Sequence, residues 1–380
     1  MTFIFFTNIV APYRVILFNE LEELRKDTDF DFEVFFMRKT ESNRQWEINL
    51  SDLNFKYRIG NGFYSNFRDM FLHFNPILIY RLIRSGNEII LGASWNNFNT
   101  MLLVLLKKSG LLKNRLSVWS EANYLTLTSQ KKNKFRDKLR KWFFSGINGS
   151  FILPGKMSLI SFAKWNIDVK SQQVILLPNL VSQFLFQKKN NTVFNADNNK
   201  PVLLIIARLE EKLKGILNFM EAIGFENLRK INLRIAGIGN SYENYNQFVV
   251  RNKLSDTVFF LGNLTQSEIS NEYNKADVFV LPSFSDPSPL TVIEATSSGL
   301  PLLISDRCGN HYEALDSGFN GYSFNPFDPE DIKNKFELLM SNRNNWGAFS
   351  ENSLQIAKTN FNNEKIIRNL IFSLIRNAST

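Results

Sequence analysis

Residues 281–301, LPSFSDPSPLTVIEATSSGLP, are the stretch whose reading decides the fold. Just upstream, Asp277 to Leu281 (DVFVL) is a short apolar run that stops at Pro282, as a buried parallel strand does. Small and polar residues with Pro287 and Pro289 follow, and an apolar-periodic segment runs from Leu290 to Gly299. The spacing predicts a strand, a tight loop and a helix whose N-terminus faces the carboxyl end of a sheet. Ligands of open α/β sheets bind there, and the free N–H groups of such a helix start suit a phosphate. Asp286 and Glu294, eight positions apart, flank the loop, one before the helix and one a turn inside it. The pattern can hold a phosphate between two acids that grip hydroxyl groups.

The same alternation extends in both directions. In the first half, strands are expected at Phe3 to Thr7, Phe30 to Met37, Lys56 to Ile59, Glu88 to Leu91, Leu116 to Trp119, Gly149 to Leu153 and Gln173 to Leu177. Helices fall between them at Val15 to Arg25, Ile77 to Ile83, Asn97 to Lys108, Lys131 to Phe144 and Lys156 to Trp165. Apart from its one short strand, 40–72 reads as loop. In the second half, strands at Val202 to Ala207, Ile231 to Ala236, Val258 to Leu261 and Leu302 to Ile304 alternate with helices at Lys214 to Ile223, Tyr242 to Asn252 and Gln266 to Tyr273. Three further helices close the chain, at Glu330 to Met340, about Trp346 to Lys358 and Asn363 to Ile375. Strands alternating with helices imply right-handed βαβ units and parallel sheets. The fold class is therefore α/β, with two doubly wound, Rossmann-like domains facing each other across a cleft. Residues 1–186 form the first domain, the Asn- and Lys-rich 187–200 the linker, 201–361 the second domain, and 362–380 a C-terminal helix packing back on the first.

With 380 residues, 44% of them apolar, the chain has ample material for two cores. A single cysteine, Cys308, excludes an internal disulfide and a thiolate metal cluster. The opening MTFIFFTNIV lacks a basic leader, and no run approaches the roughly 20 apolar residues that span a bilayer. The net charge of +9 is uneven: residues 1–190 carry 27 Lys and Arg against 15 Asp and Glu, and residues 191–380 carry 18 against 21. The first half should meet an anionic partner. Its basic residues concentrate between Lys107 and Lys141, where KKNKFRDKLRKWFF places Phe135, Leu139, Trp142 and Phe143 at helical spacing. Lys131, Lys132, Lys134, Lys138 and Lys141 surround that stripe. Such a helix suits an anionic membrane surface; equally, its stripe is core and its lysines a solvated face. Zinc-knuckle, helix-turn-helix and RNA-binding-sheet patterns are missing, so nucleic acid is not expected as a partner.

Arg208 ends the first strand of the second half, and Lys212, Lys214 and Gly215 follow. Two cations there can meet one phosphate pair, although a solvated βα loop has the same composition. Gly237 and Gly239 permit close backbone approach, but without a third glycine they are not a dinucleotide fingerprint, and a tight turn explains them as well. Gly262-Asn263 offers a turn or a backbone site for a base.

The segments ARLEEKLKG (207–215), RIAGIGN (234–240), VFFLGNL (258–264), ADVFVLPSFSDPSPLTVIEATSSGLP (276–301) and NGYSF (320–324) together resemble the retaining, family-4 glycosyltransferases (glycosyl transferases group 1) with the GT-B fold. Their order and spacing cover nearly all of the second domain, which is more specific than any one of them. The resemblance implies that Glu294 hydrogen-bonds the nucleotide's ribose and that Asp286 lies at the donor sugar. It also implies that Pro289, Leu290 and Thr291 hold the diphosphate with Arg208 and Lys214, and that Asn263 and Leu264 bracket the base, with Gly239 close to the donor. The family's first acid is usually Glu, and Asp is about one methylene shorter, so the sugar stays open. The basic loop is one residue longer than the commonest spacing, which leaves Lys212 and Lys214 both in play for the phosphates; adjacency to Gly215 favours Lys214.

The first half resembles the family more loosely, through NIVAPYRVILFNEL, VWSEANY (118–124) and LLPNL (176–180). Glu121, Asn8 and Arg14 are its candidate acceptor contacts. The two histidines, His73 and His311, read as structural. Asp27 and Asp29 precede a strand and read as loop residues. Diphosphate neutralised by Arg208, Lys214 and helix N–H groups needs no metal and no cofactor.

The function so implied moves a hexose or N-acetylhexosamine from a nucleotide-diphosphate sugar to a polyprenyl-diphosphate-linked or other glycan acceptor. Configuration is retained, and the setting is surface polysaccharide (O-antigen, capsule or lipopolysaccharide) assembly. The expected location is cytoplasmic, peripheral on the inner face of the cell membrane. The alternatives are a nucleotide-sugar epimerase of the same fold, disfavoured by the scarcity of histidine, and a non-catalytic sugar-nucleotide-binding partner protein.

Overall fold

The computed structural model describes residues 2–41, 49–67, 70–85, 88–126, 133–169, 172–186 and 200–378. The chain divides into two compact units. One holds Met1–Tyr124, Lys132–Leu180 and Asn363–Thr380, and the other Leu125–Lys131 and Val181–Asn362. The expected linker lies outside the described residues except for Lys200.

The first unit is a parallel sheet built from β1 (Thr2–Ile9), β2 (Asp31–Arg38), β3 (Tyr57–Ile59), β6 (Glu88–Leu91), β7 (Leu116–Trp119), β8 (Phe151–Leu153) and β9 (Val174–Leu176), in the order β3-β2-β1-β6-β7-β8-β9. Side chains alternate across a strand, and both faces here are covered. Phe3 and Phe5 of β1 enter one core with the helix Pro12–Arg25, while Ile4 and Phe6 enter the other with the helices Pro76–Arg84 and Phe98–Lys108. That double coverage is why the strands are continuous apolar runs rather than alternating ones. It also absorbs much of the phenylalanine: Phe18 lies 5.1 Å from Phe5 and 5.3 Å from Phe55, ring centre to ring centre. The helix Asn363–Ala378 completes the first core, burying Ile367, Leu370, Ile371 and Leu374 beside Phe18 and Leu21. Arg115 at the foot of β7 donates to the carbonyl of Asn377.

The second unit is a six-stranded parallel sheet: β10 (Val202–Ile206), β11 (Asn232–Ala236), β12 (Val258–Gly262), β13 (Val278–Leu281), β14 (Leu302–Ser305) and β15 (Gly321–Phe324), in the order β12-β11-β10-β13-β14-β15. In each unit the strand order reverses direction once, between β1 and β6 and between β10 and β13.

Three expectations change. The segment 40–72 contains an antiparallel hairpin, β4 (Phe63–Phe67) with β5 (Met70–Phe74), in place of loop. Phe63, Tyr64, Phe71 and Phe74 suit strands, but they do not alternate with polar residues, so the pair lacks the periodic signal of a half-buried strand. The helix expected from Lys214 begins at Ile216. A separate turn of helix, Glu211–Lys214, ends at Gly215 in the left-handed conformation (φ 60°). In the basic helix, observed as Lys134–Phe144, the buried residues are Arg140, Phe143 and Phe144. Phe135 is 75% exposed, and the Arg140 guanidinium lies over Trp165 at 3.9 Å. Lys131 and Lys132 lie outside the described residues.

Leu370 is fully enclosed, so Leu370→Ala should cost the first unit about 2–5 kcal/mol. Urea denaturation measures this, and a loss below about 1 kcal/mol would show that the last helix is not part of that core.

Candidate active site

Two loops leave the carboxyl ends of β10 and β13, the adjacent strands on either side of the reversal in the second sheet. That crevice is where open α/β sheets take their ligands. The two loops are stitched together. The Ser285 amide donates to Leu213 O at 3.1 Å, and the Lys214 ammonium pairs with the Asp286 carboxylate. Gly215 makes the approach possible. A Cβ there would sit 2.8 Å from Pro282 O and 3.1 Å from the Phe284 ring, in a backbone conformation that suits glycine.

The helix Leu290–Ser297 starts at Pro289 with neither a side-chain cap nor an acidic residue in its first turn. Its leading amides and the positive end of its dipole are thus available to an anion. The neighbouring helix Ile216–Ile223 differs. The Glu211 carboxylate accepts from the amides of Leu217 and Asn218 at 2.9 and 3.1 Å and from Tyr245 Oη at 2.8 Å. Its start is already occupied by an acid, which leaves the start at Leu290 as the uncapped one of the two. Asp286, which Lys214 holds, lies four residues before Leu290 in the loop that leads into that helix.

Glu294 projects from the same helix. The Tyr273 hydroxyl, fully buried, donates to Glu294 Oε2 at 2.9 Å and lies 3.1 Å from Thr291 O. Burial pushes the Glu294 carboxyl up to about 7, with the Tyr273 hydrogen bond opposing. Burial and the adjacent Glu294 also raise the Tyr273 phenol.

Arg208 is half exposed and reaches Glu210 at 3.0 Å, while Lys212 is exposed. Gly239 does not face open space: a Cβ there would lie 2.4 Å from Leu209 O, and one at Gly237 would lie 1.9 Å from Ala207 O. This glycine pair lets the turn after β11 pack against the Arg208 loop. Asn263 is exposed, and Leu264 is half-buried against the core that also holds Leu290.

A third loop, after β14, was not singled out in the sequence. Asp286 forms a bridge with Cys308: its amide donates to Arg307 O at 3.4 Å, and its carbonyl accepts from Gly309 N at 2.9 Å. The buried Asn310 donates from Nδ2 to Pro289 O at 2.8 Å, and its Oδ1 has no partner. Asp286 and Pro289 are thereby fixed from the far side. The one available signal was positional, because the segment SDRCGN ends the strand next to β13. His311 Nδ1 lies 2.7 Å from Cys308 O, a structural contact within that loop.

The acceptor candidates belong to the first unit and surround its own reversal. Arg14, 8% exposed, donates from Nη2 to Gly92 O at 3.0 Å and lies over Trp119 at 4.6 Å. Its Nε and Nη1 have no partner, and no carboxylate pairs with it among the described residues. Asn8, near the end of β1, accepts from the Thr7 hydroxyl at 3.4 Å. Glu121 is half-buried just beyond β7. His73 of β5 is buried 3.2 Å from Glu41, which follows β2, a structural pair.

The Glu294 environment has a measurable consequence. An unperturbed glutamate titrates near 4.5. Between that value and about 7 the folded protein keeps a proton that the unfolded chain has released. This contribution to stability is therefore lost as pH rises through that window. Melting temperatures of the wild type should fall relative to those of Glu294→Gln between about pH 5 and pH 7.5. Parallel curves would contradict the assignment.

Residues 186–355 match the family model described as Glycosyl transferases group 1. The sulfoquinovosyl transferase SQD2 of Arabidopsis thaliana is 28% identical over 204 residues, covering 52% of this chain and 37% of the relative. The N,N'-diacetylbacillosaminyl-diphospho-undecaprenol alpha-1,3-N-acetylgalactosaminyltransferase of Campylobacter jejuni is 29% identical over 143 residues, covering 38% and 36%. The matched stretches thus span little more than a third of these relatives. Among solved structures, Anabaena HepE in complex with UDP superposes with a TM-score of 0.75 at 14% identity, over 99% of this chain and all of that one. The lipopolysaccharide outer core galactosyltransferase WaaB gives a TM-score of 0.70 at 14% identity, over 98% and 99%. The chain has the GT-B fold of two Rossmann-like domains, and residues 186–355 resemble the glycosyl transferases group 1 family.

Proposed function

We propose that this protein is a retaining glycosyltransferase that moves a hexose or N-acetylhexosamine from a nucleotide-diphosphate donor to a lipid-linked glycan. The observation that carries this reading is the pairing of Lys214 with Asp286 beside an uncapped helix start at the β10/β13 reversal. The cation and the acid meet between the loops that leave the adjacent strands β10 and β13, and the second of these loops leads into the uncapped helix.

In the reaction, the bond between the anomeric carbon and the diphosphate oxygen breaks, and its electron pair leaves on that oxygen. The acceptor hydroxyl oxygen forms the new bond, and its proton passes to the departing diphosphate. Lys214, Arg208 and the amides at Leu290 and Thr291 stabilise the charge that develops, without a metal. On donor binding Lys214 is shared between Asp286 and phosphate. Glu294, oriented by Tyr273, takes the ribose hydroxyls, with Asn263 and Leu264 at the base.

The relative acting on a diphospho-undecaprenol substrate supports a lipid-linked acceptor and a role in surface polysaccharide assembly. A peripheral position on the inner membrane face is supported by the charge surplus of the first half. The exposed Phe135 among Lys134, Lys138 and Lys141 supports it too. Among the described residues, no helix is long and apolar enough to cross a membrane.

A panel of nucleotide-sugars tested by thermal shift should show one donor that raises the melting temperature, since a bound ligand stabilises by mass action. Lys214→Met should lower kcat by about 10²–10³-fold, and Glu294→Ala should abolish both the shift and turnover. The reading fails if no nucleotide-sugar shifts the wild type, or if Lys214→Met turns over at the wild-type rate.

A further inference from the structure

The first unit contains a cavity of about 380 Å³ that donor chemistry leaves unused. It opens where β3 runs out into Gly60–Gly62, beside the first turn of the helix Pro76–Arg84. Arg58, Phe63, Phe74, Asn75, Ile77 and Arg81 form its walls. The volume lies in the roughly 300–1,000 Å³ range of small-molecule sites.

The floor is fixed. Asn75 Oδ1 accepts from the Gly62 amide at 3.1 Å, and a Cβ at Gly62 would lie 2.0 Å from Phe74 O. The rim combines two kinds of group. Phe63 is 62% exposed and Ile77 70%, two large apolar side chains standing in water at the mouth of an apolar slot. Beside them, Arg81 is exposed and has no carboxylate partner among the described residues. Arg58 is held by Glu33 at 2.6 Å, and Arg84 by the Tyr80 hydroxyl. The helix begins at Pro76 without a side-chain cap or an acid in its first turn.

A purely apolar ligand would leave the unpaired guanidinium unused, and a small anion would leave Phe63 and Ile77 in water. An amphiphile satisfies both. We infer that this cavity binds the isoprenoid or alkyl chain of a phosphate-bearing lipid, with Arg81 at the phosphate. The inference rests on the reading of the protein as a transferase with a lipid-linked acceptor, and gives that acceptor's lipid a place in the first unit.

The probe is farnesyl diphosphate, titrated calorimetrically below its micellar concentration into the full chain saturated with UDP. Farnesol and inorganic pyrophosphate serve as its two halves. Farnesyl diphosphate should bind at least about tenfold more tightly than either half. Ile77→Asp and Arg81→Glu, both at exposed positions that place no demand on folding, should each weaken it about tenfold with UDP affinity unchanged. Equal binding by the wild type and both variants overturns the inference, as does farnesol binding as tightly as farnesyl diphosphate. If UDP binds and farnesyl diphosphate does not, the lipid site fails alone. If farnesyl diphosphate binding depends on Ile77 and Arg81 but no nucleotide-sugar is bound or turned over, the transferase reading fails and the site stands.

Discussion

A lysine and an aspartate that leave two adjacent strands in different loops, and meet, set the arrangement of the second unit's carboxyl face. Lys214 and Asp286 are both largely buried, so each charge depends on the other for its solvation. Their pairing fixes the depth at which the loop after β10 stands against the loop after β13. Gly215 permits the approach, and the Ser285 amide reinforces it. Removing either partner would strand a charge and also release the entry to the helix Leu290–Ser297.

Around that pair the structure separates two helix starts that look alike on paper. Glu211 fills one with its own carboxylate, and the other is left without a cap. The contrast turns a generic property of helices into a located one. It also explains why Glu211, which reads as an ordinary loop acid, is tied to three donors. Glu294 illustrates the opposite case. It is only partly exposed and held by a single phenol, and burial raises its proton affinity against that hydrogen bond.

How much of this was legible depended on whether the signal lay in side chains or in backbone. The parallel strands were readable because both faces are buried, and runs such as VLLII and VFVL need no partner to be recognised. Asp286, Glu294 and Lys214 were readable as charged residues in the loops and helices that follow β10 and β13. The loop containing Cys308 and Gly309 was not, because it reaches Asp286 through amides and carbonyls that every residue possesses. Gly239 was legible as a glycine but not as one pressed on Leu209, since that contact comes from the loop after β10, 30 residues away in sequence. Arg140 illustrates the limit of charge patterning. A helix read as an apolar stripe with a cationic surround buries one of its arginines over Trp165 and leaves Phe135 outside.

The helix Asn363–Ala378 belongs to the first unit although the whole second unit precedes it in the chain. During synthesis the first sheet must therefore wait on the ribosome with one flank of its core uncovered, while Val181–Asn362 is made and folds. Residues translated after the whole second unit close the earlier sheet. A chain released early would carry an intact second unit and an exposed apolar surface on the first, so quality control could recognise incomplete molecules by that surface.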